Sequence, residues 1–155
     1  MDGNGRWGRN KNKSRNFGHL KGVETVEKIV KASLKLKIPM ITFYVFSTEN
    51  WRRPKTEIKF LFNLIGSYFK KEIKNVVKNG IKINILGKTS SFSTSLKSIL
   101  RDTIKKTTKN KKLTVNLALN YGSKNEIKNA FIKLKKNHSR ITEAKISKNL
   151  YTSKM

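Results

Sequence analysis

Residues Met40 to Phe46 read M-I-T-F-Y-V-F and run straight into S-T-E-N-W-R-R-P at Ser47 to Pro54. The first half is short, apolar and rich in β-branched and aromatic side chains, the pattern of a buried strand. The second half gathers hydroxyls, a carboxylate, an amide, an indole and arginines. Open α/β sheets place their ligands at the carboxyl ends of their strands, so this stretch predicts a fold class and the position of a site together.

Upstream of it, Val23, Val26, Ile29, Val30 and Leu34 recur at helical spacing with Glu24, Lys28 and Lys31 on the other face, which predicts a helix from about Gly18 to Lys37, closed by Pro39. Arg9 to Arg15, polar and basic, reads as a mobile loop. Downstream, Pro54 suits the first turn of a helix with Glu57 near its positive end. Ile58, Leu61, Phe62, Ile65, Phe69, Ile73 and Val76 keep the 3.6-residue period to about Asn79, where Gly80 stops it. Ile81 to Leu86 alternates as a strand with one face buried, Phe92 to Ile104 repeats the helical spacing, and Leu113 to Leu119 reads as a third strand. A further helix carries Ile127, Ala130, Phe131 and Leu134, and Thr142 is an N-cap candidate for a short last helix reaching Leu150. Helices alternating with strands predict an α/β fold: a parallel β-sheet flanked by helices, with right-handed crossovers.

At the other end of the chain, Met1 to Trp7, M-D-G-N-G-R-W, repeats the chemistry of the Ser47 to Pro54 loop. Gly3 and Gly5 let main-chain N–H groups approach a ligand closely. Arg6 offers a planar fork for phosphate oxygens, and Asp2 is the hard oxygen that a Mg²⁺ ion bridging to a diphosphate takes from a protein. D-G-N-G is also ordinary turn chemistry, and only the second loop separates the two readings. Five of the arginines (Arg6, Arg9, Arg15, Arg52, Arg53) and both tryptophans (Trp7, Trp51) fall within the first 54 residues, while the positive charge elsewhere is nearly all lysine.

The chain has 155 residues, a single-domain length, and no cysteine, which removes disulfides and thiolate chemistry and fits a cytoplasmic protein. No apolar run approaches the roughly 18 residues of a membrane span, and the start of the chain lacks the apolar core of a signal peptide. The net charge of +27 raises a second class, a small basic nucleic-acid-binding protein. Lysine is spread over every segment rather than gathered on one, which reads as a solvated surface, suited to drawing in diphosphates or to peripheral contact with an anionic membrane. No specific nucleic acid is expected.

Four motifs in order resemble the cis-prenyltransferase family, of the undecaprenyl diphosphate synthase type. They are D-G-N-G-R-W at Asp2 to Trp7, R-N-F-G-H at Arg15 to His19, F-S-T-E-N-W-R-R-P at Phe46 to Pro54, and N-Y-G at Asn120 to Gly122. At Ser123-Lys124 the pattern drifts from the family's second glycine and arginine. The resemblance implies an α/β fold with a hydrophobic tunnel lined by the long helix after Pro54. It also implies a Mg²⁺-dependent enzyme that condenses isopentenyl diphosphate onto an allylic diphosphate of the farnesyl class, with cis geometry, to give a long polyprenyl diphosphate such as undecaprenyl diphosphate for cell-wall biogenesis.

By the same resemblance, Asp2 is the metal ligand and central catalytic residue. Gly3, Asn4, Gly5, Arg6, Arg15 and His19 bind the allylic diphosphate, with Trp7 against the substrate, and Ser47, Thr48, Glu49, Trp51 and Arg53 contact substrate or order the second loop. Asn50 is the family's second catalytic residue; a neutral carboxamide is a very weak base, so positioning a water or a diphosphate oxygen is its credible part. On the residues alone, His19 equally suits a capping or buried role, and the tryptophans equally suit packing. The family runs an apolar strand into the Met1 position and continues past the Leu150 region into R-T-x-G-E. The resemblance therefore implies a single, incomplete domain over 1–155, missing its first strand and its isopentenyl diphosphate segment, weakly active or inactive alone, and homodimeric in full-length form. A non-catalytic subunit is the related alternative, although such subunits tend to lose the D-G-N-G-R-W residues.

Overall fold

The computed structural model describes residues 2–138 and 140–153. Its elements are α1 (Asn4–Asn10), α2 (Arg15–Lys35), β1 (Met40–Ser47), a 3₁₀ turn (Thr48–Arg52), α3 (Lys55–Lys78), β2 (Ile81–Leu86), α4 (Thr94–Thr107), β3 (Leu113–Tyr121), α5 (Ser123–Lys136) and α6 (Glu143–Lys148). Among the described residues the strands form one parallel sheet in the order β1-β3-β2. The expected alternation of helix and strand is therefore present, and the sheet is parallel throughout.

Period-two alternation decides which face of the sheet is apolar. Ile81 and Ile83 of β2 and Leu113, Val115, Leu117 and Leu119 of β3 are buried against Ile58, Phe69 and Val76 of α3 and Leu96 and Leu100 of α4, with Ile41 and Phe43 of β1 half-buried at the margin. The alternate residues are more polar. Asn84, Asn116 and Thr42 stand side by side in register across the three strands. Asn84 Nδ2 donates to Asn116 Oδ1 at 3.1 Å, and Asn116 Nδ2 donates to Thr42 Oγ1 at 3.3 Å. A one-residue slip of any strand would carry its apolar set to the wrong face and break this ladder.

Two expectations are corrected. Among the described residues, the buried strand expected at Met40–Phe46 pairs on one side only, with β3: Met40, Tyr44 and Val45 are exposed and only Phe46 is buried. Composition reports a strand's taste for apolar neighbours and not whether a neighbour pairs on each side. The second concerns the start of the chain. Residues expected to be loop form α1, and α2 begins at Arg15, three residues before the expected start, with Ser14 Oγ accepting from Phe17 N as its N-cap.

Glycine explains why α1 exists. A Cβ on Gly18 would stand 1.9 Å from Asn4 O, one on Gly8 would stand 2.5 Å from Ser14 O, and one on Gly22 would stand 2.5 Å from Asn4 Nδ2. The two helices cross at a distance that only hydrogen side chains permit, and that crossing fixes Asp2–Arg6 against α2. At Gly3, φ is +79°, the left-handed turn that starts α1.

Candidate functional site

One cavity of about 670 Å³ opens at the carboxyl end of β1. Asp2, Gly3, Asn4, Gly5 and Arg6 line it from the start of the chain, Arg15 and His19 from the first turns of α2, Ser47, Asn50 and Arg53 from the loop after β1, and Tyr44, Val45, Phe46 and Leu61 form an apolar side. The two polar loops, some forty residues apart in sequence, thus share one concave surface. Trp7, Thr48, Glu49 and Trp51 are placed elsewhere. Trp7 stacks on Phe17 at 6.0 Å between ring centroids. Thr48 and Glu49 line a neighbouring cleft of about 470 Å³ with Ser123, Lys124, Asn125 and Lys128. Trp51 stands edge-on to Phe46 and Phe62 and donates from Nε1 to Asn120 Oδ1 at 2.7 Å.

Beneath the cavity lies a group that the sequence did not single out as functional. Glu57, in the first turn of α3, is buried and is shared by three cavity residues. Arg15 donates to both of its oxygens, from Nε at 2.9 Å and from Nη2 at 3.1 Å. His19 Nε2 lies 3.1 Å and Arg53 Nη1 3.2 Å from Glu57 Oε1. Burial alone would raise the Glu57 carboxyl; hydrogen bonds from Arg15 and His19, with the charges of Arg15 and Arg53, outweigh it and hold the group below the usual carboxylate range. His19 is buried, lines the cavity and contacts the Glu57 carboxylate at once. Arg–carboxylate forks are geometrically rigid, so Glu57 fixes where the guanidinium plane of Arg15 points, and it tethers Arg53 through a single contact.

Within the second loop, Asn50 Oδ1 accepts from Ser47 N at 3.1 Å, which closes the 3₁₀ turn on itself. Glu49 is held below the usual carboxylate range by its own backbone N–H, then by the Ser47 and Thr48 hydroxyls.

At the mouth of the cavity Asp2 lies 3.5 Å from Arg6, and its side chain is 96% exposed. Asp2 is the one carboxylate among the cavity's described lining residues, and no cluster of three or more His, Cys, Asp or Glu occurs among the described residues. Such a donor set cannot cage a cation. It fits Mg²⁺ that takes one carboxylate and fills its remaining positions with water and diphosphate oxygens.

Sheet and cavity define a parallel α/β protein with a cationic cleft at the carboxyl end of β1. A family profile described as "Putative undecaprenyl diphosphate synthase" matches residues 1–155, and the chain belongs to that family. It is 42% identical over 156 residues to an isoprenyl transferase of Rickettsia bellii, covering all of this chain and 69% of that protein. It is 40% identical over 134 residues to a ditrans,polycis-undecaprenyl-diphosphate synthase of Vibrio vulnificus, named as (2E,6E)-farnesyl-diphosphate specific, covering 86% of this chain and 53% of that one. Lavandulyl diphosphate synthase from Lavandula x intermedia, solved in complex with dimethylallyl diphosphate, shares the fold at a TM-score of 0.92 and 24% identity, over 100% of this chain and 70% of that one. The chain thus spans between 53% and 69% of the length of these two relatives.

Proposed function

We propose that this chain supplies the allylic diphosphate site of a cis-prenyltransferase, one that condenses isopentenyl diphosphate onto a farnesyl-class diphosphate to give a long polyprenyl diphosphate. The observation that carries the reading is the meeting of Asp2–Arg6 with Arg15, His19, Asn50 and Arg53 around one cavity. The names of the isoprenyl transferase and the farnesyl-diphosphate-specific synthase support the substrate class.

Charge supports it too. Three guanidiniums (Arg6, Arg15, Arg53) face two carboxylates (Asp2, Glu57), which leaves the site one positive charge when His19 is neutral. A fully ionised diphosphate monoester carries about three negative charges, so a divalent ion on Asp2 would complete the balance. When bound, Mg²⁺ would neutralise charge on the departing diphosphate as the allylic C–O bond ionises. Arg6, Arg15 and Arg53 orient the diphosphate oxygens, Asn50 positions a water or oxygen next to Ser47, and Tyr44, Val45, Phe46 and Leu61 receive the first part of the prenyl chain.

Calorimetric titration with inorganic pyrophosphate and Mg²⁺ tests the shared site. Arg6→Ala and Arg53→Ala, one from each loop, should each weaken binding about tenfold, the scale of a lost charge-assisted contact. An Arg53→Ala variant that binds as tightly as the parent would remove the second loop from the site and the reading with it.

A further inference from the structure

Neither Trp51 nor Asn120 lines the main cavity, yet their contact is the joint on which the second loop hangs. The β1–β3 register shifts twice near its carboxyl end. Tyr44 opposes Ala118 and Phe46 opposes Leu119, so Val45 is an extra residue on β1; then Ser47 opposes Tyr121, so Asn120 is an extra residue on β3. Asn120 also adopts φ +51°, a left-handed conformation that asparagine tolerates better than most residues. Bulges of this kind re-aim a side chain beside a site.

Here the re-aimed carboxamide joins three segments. Its Oδ1 accepts from Trp51 Nε1 at 2.7 Å and its Nδ2 donates to Lys88 O at 2.7 Å, in the turn after β2. The backbone around it leaves no slack: a Cβ on Gly87 would lie 2.2 Å from Leu119 O, and one on Gly122 would lie 2.4 Å from Thr48 Oγ1. Trp51 is held on its other side by the Phe46 and Phe62 rings. Asn50 precedes it and Arg53 follows two residues later, and both line the cavity.

We infer that Asn120 is a positioning residue for diphosphate binding: it clamps Trp51, and Trp51 in turn sets the places of Asn50 and Arg53. Trp51 then serves the site from behind rather than by touching the ligand. The inference rests on the proposed diphosphate site.

The test uses the full chain, inorganic pyrophosphate with Mg²⁺ as the probe, and the emission of Trp51 in a Trp7→Phe background, where Trp51 is the remaining tryptophan. Asn120→Gly keeps the left-handed backbone without strain and removes the carboxamide with its bonds to Trp51 and Lys88. Trp51→Phe keeps ring packing and removes the N–H. Asn120→Gly should shift the Trp51 emission and weaken pyrophosphate binding about fivefold, the scale of one lost hydrogen bond. Trp51→Phe removes the same Trp51–Asn120 bond and should weaken binding too, and the double variant should lose no more than Asn120→Gly alone. Three results would overturn the inference: unchanged emission in Asn120→Gly, shifted emission with unchanged affinity, or losses in the double variant that multiply. A parent chain that does not bind pyrophosphate would remove the site itself, and this inference with it; that outcome is told apart because it appears before any substitution is made.

Discussion

Arg15 grips Glu57 through two parallel hydrogen bonds, at 2.9 and 3.1 Å, and this fork ties the start of α2 to the start of α3 directly beneath the cavity. Glu57 is the more buried partner, with 8% of its side chain exposed against 32% for Arg15. Removing the carboxylate leaves Arg15, Arg53 and His19 facing one another without a counter-charge. Breaking a buried pair typically costs 3–5 kcal/mol; the part-exposed arginines reduce this, so Glu57→Gln should lower unfolding stability by about 2 kcal/mol in urea titrations.

The same carboxylate sets an acid limb. Its folded pKa lies below the ordinary value of 4.5, so its contribution is fully present above that value and is lost as pH falls through the lower, folded one. The stability of the parent chain should therefore drop on acidification below about pH 4.5, whereas Glu57→Gln should show a shallower slope there. Parallel slopes in the two proteins would mean that Glu57 carries no such linkage.

The alkaline limb is shared by Tyr121 and Tyr68, the latter pushed up to about 12 by burial and then by the charges of Glu27 and Glu72. The Tyr121 hydroxyl donates to Glu126 Oε2 at 2.8 Å, and Glu126 Oε1 also accepts from Tyr151 N, which ties the segment after α6 to the end of β3. Burial first, and then the Glu126 carboxylate, push the Tyr121 hydroxyl up to about 12. A raised pKa gives stability that is present below the unfolded value of 10 and fades as pH rises towards 12. Ultraviolet titration should show two tyrosines ionising near pH 12, Tyr68 and Tyr121, of which Glu126→Gln moves only Tyr121 downward, because the substitution removes the charge beside it.

Gly18 offers a test of why the first loop is ordered. Its absent Cβ would meet the backbone of Asn4, which cannot move aside without lifting α1 from α2. Gly18→Ala should cost about 2 kcal/mol and raise hydrogen exchange in Asn4–Asn10 selectively, with the β3 amides unaffected.

Much of this fold is legible in the sequence. The helices from Val23, from Ile58 and from Phe92 announce themselves because their apolar residues repeat every 3.6 positions, and the strands at Ile81 and Leu113 because theirs alternate. Pro39 and Gly80 mark boundaries for steric reasons that need no tertiary knowledge. α1 was illegible for a physical reason: G-N-G-R-W-G-R-N has poor helix propensity and no apolar stripe, and its helix is imposed by contact with Gly18 and Gly22. Gly18 and Gly22, four apart on an otherwise ordinary amphipathic helix, were the available signal. The exposure of β1 among the described residues was hidden because a strand's neighbours are a property of topology. In the site, local motifs placed Asp2, Arg6, Asn50 and Arg53, but apart from Arg53, four residues from Glu57, the partners of Glu57 and Asn120 lie 32 to 69 residues away, which no local pattern encodes.

The most direct measurement is calorimetric titration of farnesyl diphosphate into the parent chain and into Asp2→Ala, each with Mg²⁺ and with a chelator in its place. The parent with Mg²⁺ should bind at least tenfold more tightly than the other three combinations, because a single carboxylate can hold the ion only together with the diphosphate. Equal affinity in all four titrations, or no binding by the parent with Mg²⁺, would contradict the account.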